Sequence, residues 1–168
     1  AQAPGYSVPD NDFARYLVGC WKRNLEYREF GGSFSHIRTT NAIVVIEEVA
    51  APDLGVAGVS AAADAGSGSK FLKWSFGKSL DPDQLIPVYV MKITPNDFSL
   101  EAFMEWEYRG VRCHGRYTAT DAGGVGILNF PMERTSITNT LRVMDADNMA
   151  VCVVEVSSRQ PSLQYGTM

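Results

Sequence analysis

The stretch Asp97–Ala119, DFSLEAFMEWEYRGVRCHGRYTA, decides the fold. From Phe98 to Tyr108 every even position is apolar or aromatic: Phe98, Leu100, Ala102, Met104, Trp106 and Tyr108. The odd positions are Asp97, Ser99, Glu101, Phe103, Glu105 and Glu107, polar but for Phe103. A period of two marks a strand with one buried face and one wet face. Val111, Cys113, Gly115, Tyr117 and Ala119 repeat the pattern against Arg112, His114, Arg116 and Thr118. Arg109-Gly110 lies between the runs as a two-residue turn, glycine supplying positive φ. Closing the hairpin there pairs Trp106 with Cys113, Met104 with Gly115 and Ala102 with Tyr117 inside. Outside, Glu107 meets Arg112, Glu105 meets His114 and Phe103 meets Arg116. Each pair contributes about 0.2–1 kcal/mol, and a slip of one residue would invert both faces. The reading is a soluble antiparallel β protein.

Upstream, Leu85, Pro87, Tyr89, Met91 and Ile93 form an inner face, and a turn at Thr94–Asp97 pairs Met91 with Leu100 and Tyr89 with Ala102. Lys70–Phe76 is a strand with Leu72, Trp74 and Phe76 on one side. Downstream, Asp121–Gly124 turns into Val125–Phe130, setting Phe130 beside Gly115. Ile137–Met144 and Met149–Ser158 form a hairpin around Asp145-Ala146-Asp147-Asn148, and Gln160-Pro161-Ser162 leads into a last strand, Leu163–Met168. At the other end, Asp10 or Asn11 caps a short helix to about Val18, closed by Gly19, with Phe13, Tyr16 and Leu17 packed. The first strand carries Trp21, Arg23, Leu25 and Tyr27 on one face, and its partner runs from Phe34 to Val49. A two-residue Gly31-Gly32 loop would put His36 and Arg38 inside, opposite Tyr27 and Leu25. A three-residue loop with Ser33 puts Ile37 opposite Tyr27 and Arg38 opposite Glu26, burying no charge, and is the expected register. Residues 1–9 read as a tail. Fourteen of the twenty residues 50–69 are Ala, Gly or Ser, too small to pack a stripe, so this segment reads as a surface insertion in one domain spanning 1–168.

These elements make about nine or ten strands in consecutive hairpins. A meander that long exposes edges unless it closes, so the expected fold is an all-β, antiparallel up-and-down barrel with a short N-terminal helix. A two-sheet sandwich is the competing architecture. At 168 residues with 45% hydrophobic and 20% charged residues, one substantial core fits. A net charge of −4 without a basic run argues against nucleic acid, and no apolar run is long enough to span a bilayer. The chain lacks an initiator methionine, which fits a processed mature form, with an organelle as one compartment. Cys113 and Cys152 fall at inward positions, as packed thiols or, if their strands are neighbours, as a disulfide.

No phosphate loop, dinucleotide fingerprint, nucleophile elbow or zinc-protease motif is present, so catalysis is not the leading expectation. The expected interior is aromatic: Trp21, Tyr27, Trp74, Tyr89, Met91, Met104, Trp106 and Tyr117, with Arg23 and Asn139 among its few polar groups. An apolar cavity with sparse orienting groups suits a small molecule, whereas a barrel filled by its own side chains would have none. Trp21, Arg23, Tyr27, Trp74, Tyr89, Met104, Trp106 and Tyr117 are therefore the candidate ligand residues. Outside, Ile86, Val88 and Phe103 form a candidate apolar partner patch, unless Phe103 and Arg116 are a simple cation–π pair.

The short helix followed by Gly19-Cys20-Trp21 at the start of the first strand resembles the lipocalin-like (calycin) barrels, marked by Gly-x-Trp at this place. The resemblance implies a tryptophan closing the barrel floor and a late arginine packed across it, with Arg142 and Arg159 as candidates. Gly115-Arg116-Tyr117, the acidic turn at Asp121 and the closing strands are similar to the S-type phycobiliprotein lyases, which share the barrel and deliver bilin pigments. That resemblance implies arginines for pigment carboxylates on the closing strands, where Val151–Val156 is nearly all apolar. The function expected is non-catalytic binding of an apolar small molecule: a pigment, a lipid or a tetrapyrrole. The alternative is an accessory structural subunit of a larger photosynthetic or respiratory organellar assembly, its barrel plugged and its dock formed by Phe103 and the 50–69 insertion. A chromophore lyase or pigment chaperone is the third reading.

Overall fold

A computed structural model describes residues 13–29, 37–50, 69–79, 81–96, 100–120, 123–133, 135–145, 147–157 and 162–168. The helix α1 is Phe13–Leu17. Ten strands follow among the described residues: β1 (Gly19–Glu29), β2 (Ile37–Val49), β3 (Lys70–Gly77), β4 (Ile86–Pro95) and β5 (Glu101–Tyr108), then β6 (Val111–Thr120), β7 (Gly123–Pro131), β8 (Thr135–Asp145), β9 (Asn148–Ser157) and β10 (Ser162–Thr167). Each pairs antiparallel with the next, and β10 pairs with β1, so the sheet closes and leaves no edge. A closed antiparallel barrel is what the lipocalin-like reading required.

The central hairpin has the register read from its alternation, from Glu101 opposite Thr118 to Tyr108 opposite Val111. Arg109 and Gly110 turn with φ of 50° and 77°, two positive values in succession, which match the twist of the strands they join. Large faces small across it: Met104 lies over Gly115, where an added Cβ would stand 2.5 Å from the Ile127 carbonyl oxygen. Arg116 lies over the Phe103 ring at 5.2 Å, the cation–π pair. At the β8–β9 turn the Asp145 carboxylate accepts from the Asp147 N–H at 2.8 Å and from Asn148 Nδ2 at 2.9 Å. Those bonds favour the charged carboxylate and hold its pKa below the usual range.

Four registers differ from expectation, for two reasons. In two of them a loop has another length and the shift is even, so the faces are kept. Between β4 and β5, Ile93 faces Met104 and Pro95 faces Ala102, rather than Met91 facing Leu100 and Tyr89 facing Ala102. The Asn96 N–H bonds to the Glu101 carbonyl at 2.9 Å, closing a longer loop that leaves Leu100 38% exposed. Between β6 and β7 the turn is only two residues, so Leu128, not Phe130, sits beside Gly115. In the other two, a strand that is apolar on both faces conceals its parity. Arg38 is opposite Tyr27, matching neither expected loop, and shares the parity of Val44, which faces Trp21 and is fully buried. On β9, Val151 and Val153 are buried, so Cys152 points outward and not inward. Cys113 is buried, Cys20 exposed, and all three thiols are free; β6 and β9 are not neighbours.

The helix plugs one end. Ala14 and Leu17 are buried in the core, and Trp21 Nε1 donates to the Leu17 carbonyl at 2.8 Å. Met149 and Met168 exchange backbone bonds at that same end, where β1 begins and β10 finishes. Residues 1–9, 51–68 and Arg159 lie outside the described residues, and so do the expectations placed on them.

Candidate ligand-binding cavity

The plug leaves the other end of the barrel, where β3, β5, β7 and β9 finish, to hold a cavity of 350 Å³. Phe76, Tyr108 and Phe130, near the ends of β3, β5 and β7, line it together with Arg23 and Val153 from the middle of β1 and β9. The first residues of the returning strands complete the wall: Val88 and Tyr89 on β4, Ile137 and Asn139 on β8. Tyr89 is the hub of an aromatic cluster. Its ring stacks on Trp74 at 5.5 Å and Trp106 at 5.9 Å, and meets Phe130 and Tyr108 edge-on at 6.0 and 6.2 Å. Offset stacks and edge contacts of this kind are each worth about 0.5–1.5 kcal/mol beyond burial, so one wall of the cavity is stiff.

The polar groups are few and incompletely matched. The Arg23 guanidinium lies 5.3 Å over the Phe76 ring, and its Nε has no hydrogen-bond partner. Burial lowers the Arg23 pKa, partly opposed by Tyr89, with no carboxylate among the described residues contributing. Asn139 Oδ1 and the indole Nε1 atoms of Trp74 and Trp106 are also buried without partners. Burial pushes the Tyr89 phenol far above the ordinary tyrosine value, so it stays neutral. The described lining is thus aromatic and aliphatic, with one cation and one amide. It can hold a flat apolar body and orient an acceptor group on it.

The structure divides the candidate residues. Arg23 and Tyr89 line the cavity. Trp74 and Trp106 stand behind Tyr89 in the packed core. Trp21, Met104 and Tyr117 are buried in the core and are not part of the cavity wall. Tyr27 is placed on β1 by its backbone alone. Val88 was expected on the outer face and instead lines the cavity: a register shift between Trp74 and Ser75 skips it in the ladder. Ile86 (67%) and Phe103 (41%) are exposed, and Ile127 (43%) follows Arg116 in the same row across the outer face. Arg142 is exposed on β8.

Phe76, Tyr108, Phe130, Ile137 and Val153 were missed. Phe76 and Tyr108 each stand two residues beyond a candidate of the same parity, Trp74 and Trp106. The available signal was the helix: it enters directly before β1, so the inward residues farthest from that entry face the open end.

The sequence matches no protein-family model and no curated protein. Among solved structures it is similar to the S-type phycobiliprotein lyase CPES from Guillardia theta, at 14% identity and a TM-score of 0.55, covering 91% of this chain and 88% of that one. At that identity the likeness establishes a shared barrel fold, as the lyase resemblance had implied. No helix among the described residues is long and apolar enough to cross a membrane.

Proposed function

We propose that the chain works as one barrel domain whose cavity holds an apolar small molecule, a pigment, tetrapyrrole or lipid, without catalysing a reaction on it. One observation carries this reading: the Arg23 guanidinium lies over Phe76 in an otherwise largely apolar wall, with no carboxylate beside it among the described residues. A half-buried cation without a described counter-charge carries a desolvation cost, and a ligand acid or carbonyl relieves it. The fold shared with a phycobiliprotein lyase favours a pigment within the class. Val88→Trp, which fills the cavity from the β4 wall, tests the site. Titration of biliverdin or a fatty acid into the wild type should quench tryptophan fluorescence saturably, and the variant should not respond; equal response would reject the cavity.

A second reading rests on the outer face. Exposed Phe103 and Ile127 flank Arg116 in register, and Ile86 is more exposed still. Such a patch suits a partner in a larger photosynthetic or respiratory assembly. Phe103→Glu should release the chain from its particle, and undisturbed assembly would reject that dock. The lyase or pigment-chaperone reading extends the first: it requires transfer of bilin to an acceptor protein in vitro, and no adduct would count against it.

A further inference from the structure

Two seams of the barrel stop short of the cavity mouth, and they flank the same hairpin. The row Lys92–Glu105–His114–Asn129 is the last in which β4, β5, β6 and β7 all pair. Beyond it β5 and β6 pair with each other, through Trp106–Cys113, Glu107–Arg112 and Tyr108–Val111. Among the described residues no ladder joins that tip to β4 or to β7, although those strands reach on to Ile86 and Pro131. The next hairpin differs, since β8 stays paired to β9 as far as Thr135 opposite Ser157. Each side has a local cause. Continuing the β6–β7 register sets Pro131 opposite Arg112, and proline has no N–H to give the ladder. On the other side, the register shift between Trp74 and Ser75 bends β4 beside Tyr89, where Tyr108 would pair.

Among the described residues, ring packing is what holds the tip to its neighbours. Trp106 packs on Tyr89 at 5.9 Å and on Phe130 at 5.1 Å, and Tyr108 meets the same two rings at 6.2 and 5.6 Å. The ring of an apolar ligand can replace such contacts, and no backbone ladder has to break. Swinging outward about the Glu105–His114 rung carries Tyr108 off the cavity wall and uncovers the buried Trp106 and Cys113. The tip extends about 10 Å past that rung, the length of three extended residues. We infer that residues 106–113 form a flap, which opens away from Tyr89 and Phe130 to admit the apolar ligand and closes with Tyr108 against it. This rests on the binding reading above and adds how the site is entered.

Cys113 reports on the flap, because its thiol is buried on the inner side of the tip, opposite Trp106. The test is iodoacetamide labelling of the whole wild-type chain at low urea concentrations, with peptide mass mapping to separate Cys113 from Cys20 and Cys152. Global unfolding is followed in parallel by circular dichroism. Cys113 should be labelled at least about 100-fold faster than global unfolding permits, and with a shallower dependence on urea, as a local opening is. Biliverdin or oleate at ten times its Kd, with binding read by tryptophan quenching, should slow the labelling by about 10-fold, since the closed state holds the ligand. Labelling that only keeps pace with global unfolding overturns the flap, and saturable binding of either probe then leaves the binding reading standing. Local labelling that a bound probe leaves unchanged also overturns the inference, because the tip would not close on the occupant. Binding of neither probe overturns both.

Discussion

Replacing Arg23 by methionine should make the empty protein more stable and leave it unable to hold its ligand. Arg23 Nε is buried without a partner, and an unsatisfied buried donor costs about 1–3 kcal/mol. The guanidinium regains part of that over the Phe76 ring at 5.3 Å, about 0.5–2 kcal/mol for a partly desolvated cation–π contact. Methionine has nearly the same reach, keeps an aromatic contact through its sulfur and carries no charge to bury. The difference favours the variant by about 1 kcal/mol, a rise in Tm of about 2–4 °C for a chain of this size. Ligand should reverse the order: at a hundredfold excess over Kd it stabilises the wild type by about 2.7 kcal/mol and does little for the variant. Thermal unfolding with and without ligand, followed by circular dichroism, gives all four values. A lower Tm for empty Arg23→Met would mean that the guanidinium has a structural partner, and equal stabilisation of both proteins by ligand would refute the orienting role.

Other consequences follow from the packing and the buried phenol. Gly115→Ala places a methyl 2.5 Å from the Ile127 carbonyl oxygen, and overpacking against backbone should cost about 1–3 kcal/mol in urea unfolding; an unchanged midpoint would mean that β6 and β7 separate freely. Trp106→Ala removes a 3% exposed side chain that packs on Tyr89 and Phe130, with an expected loss of about 3–5 kcal/mol. Because burial raises the Tyr89 pKa, the folded state keeps a proton that the unfolded chain gives up near pH 10. Stability is therefore unaffected below about pH 10 and falls above it by up to about 1.4 kcal/mol per pH unit for this group. Tyr89→Phe should flatten that slope, and an unchanged slope would place the ionising group elsewhere.

The fold was legible wherever one face of a strand is apolar and the other polar. Ala102, Met104 and Trp106 against Glu101, Glu105 and Glu107 leave a single choice of face, and the hairpin register followed from it. Legibility failed where both faces are apolar. Ala42–Ile46 and Val151–Val154 permit either parity, so the β1–β2 register was read one residue off and Cys152 was set on the wrong face. Loop length was the other hidden variable: the Asn96–Glu101 bond and the short turn before Gly123 shifted registers by even steps and left the faces intact. Arg23, Tyr89 and Asn139 were readable as inward groups. Which inward groups face a cavity depended on which end the helix plugs, and alternation along a strand carries no information about depth. Val88 was hidden by a bulge, which reverses parity without a sequence signal as plain as a glycine.

The central claim is that this barrel carries a ligand in its cavity through Arg23. Native mass spectrometry with an absorption spectrum, on the protein isolated gently from its source, tests that most directly. The expected result is the 18.4 kDa chain with added small-molecule mass, which extraction removes and which rebinds to the stripped wild type but not to Arg23→Met. The bare chain, with no added mass and no rebinding from the extract, would contradict the account and leave the barrel as a structural unit whose outer face does the work.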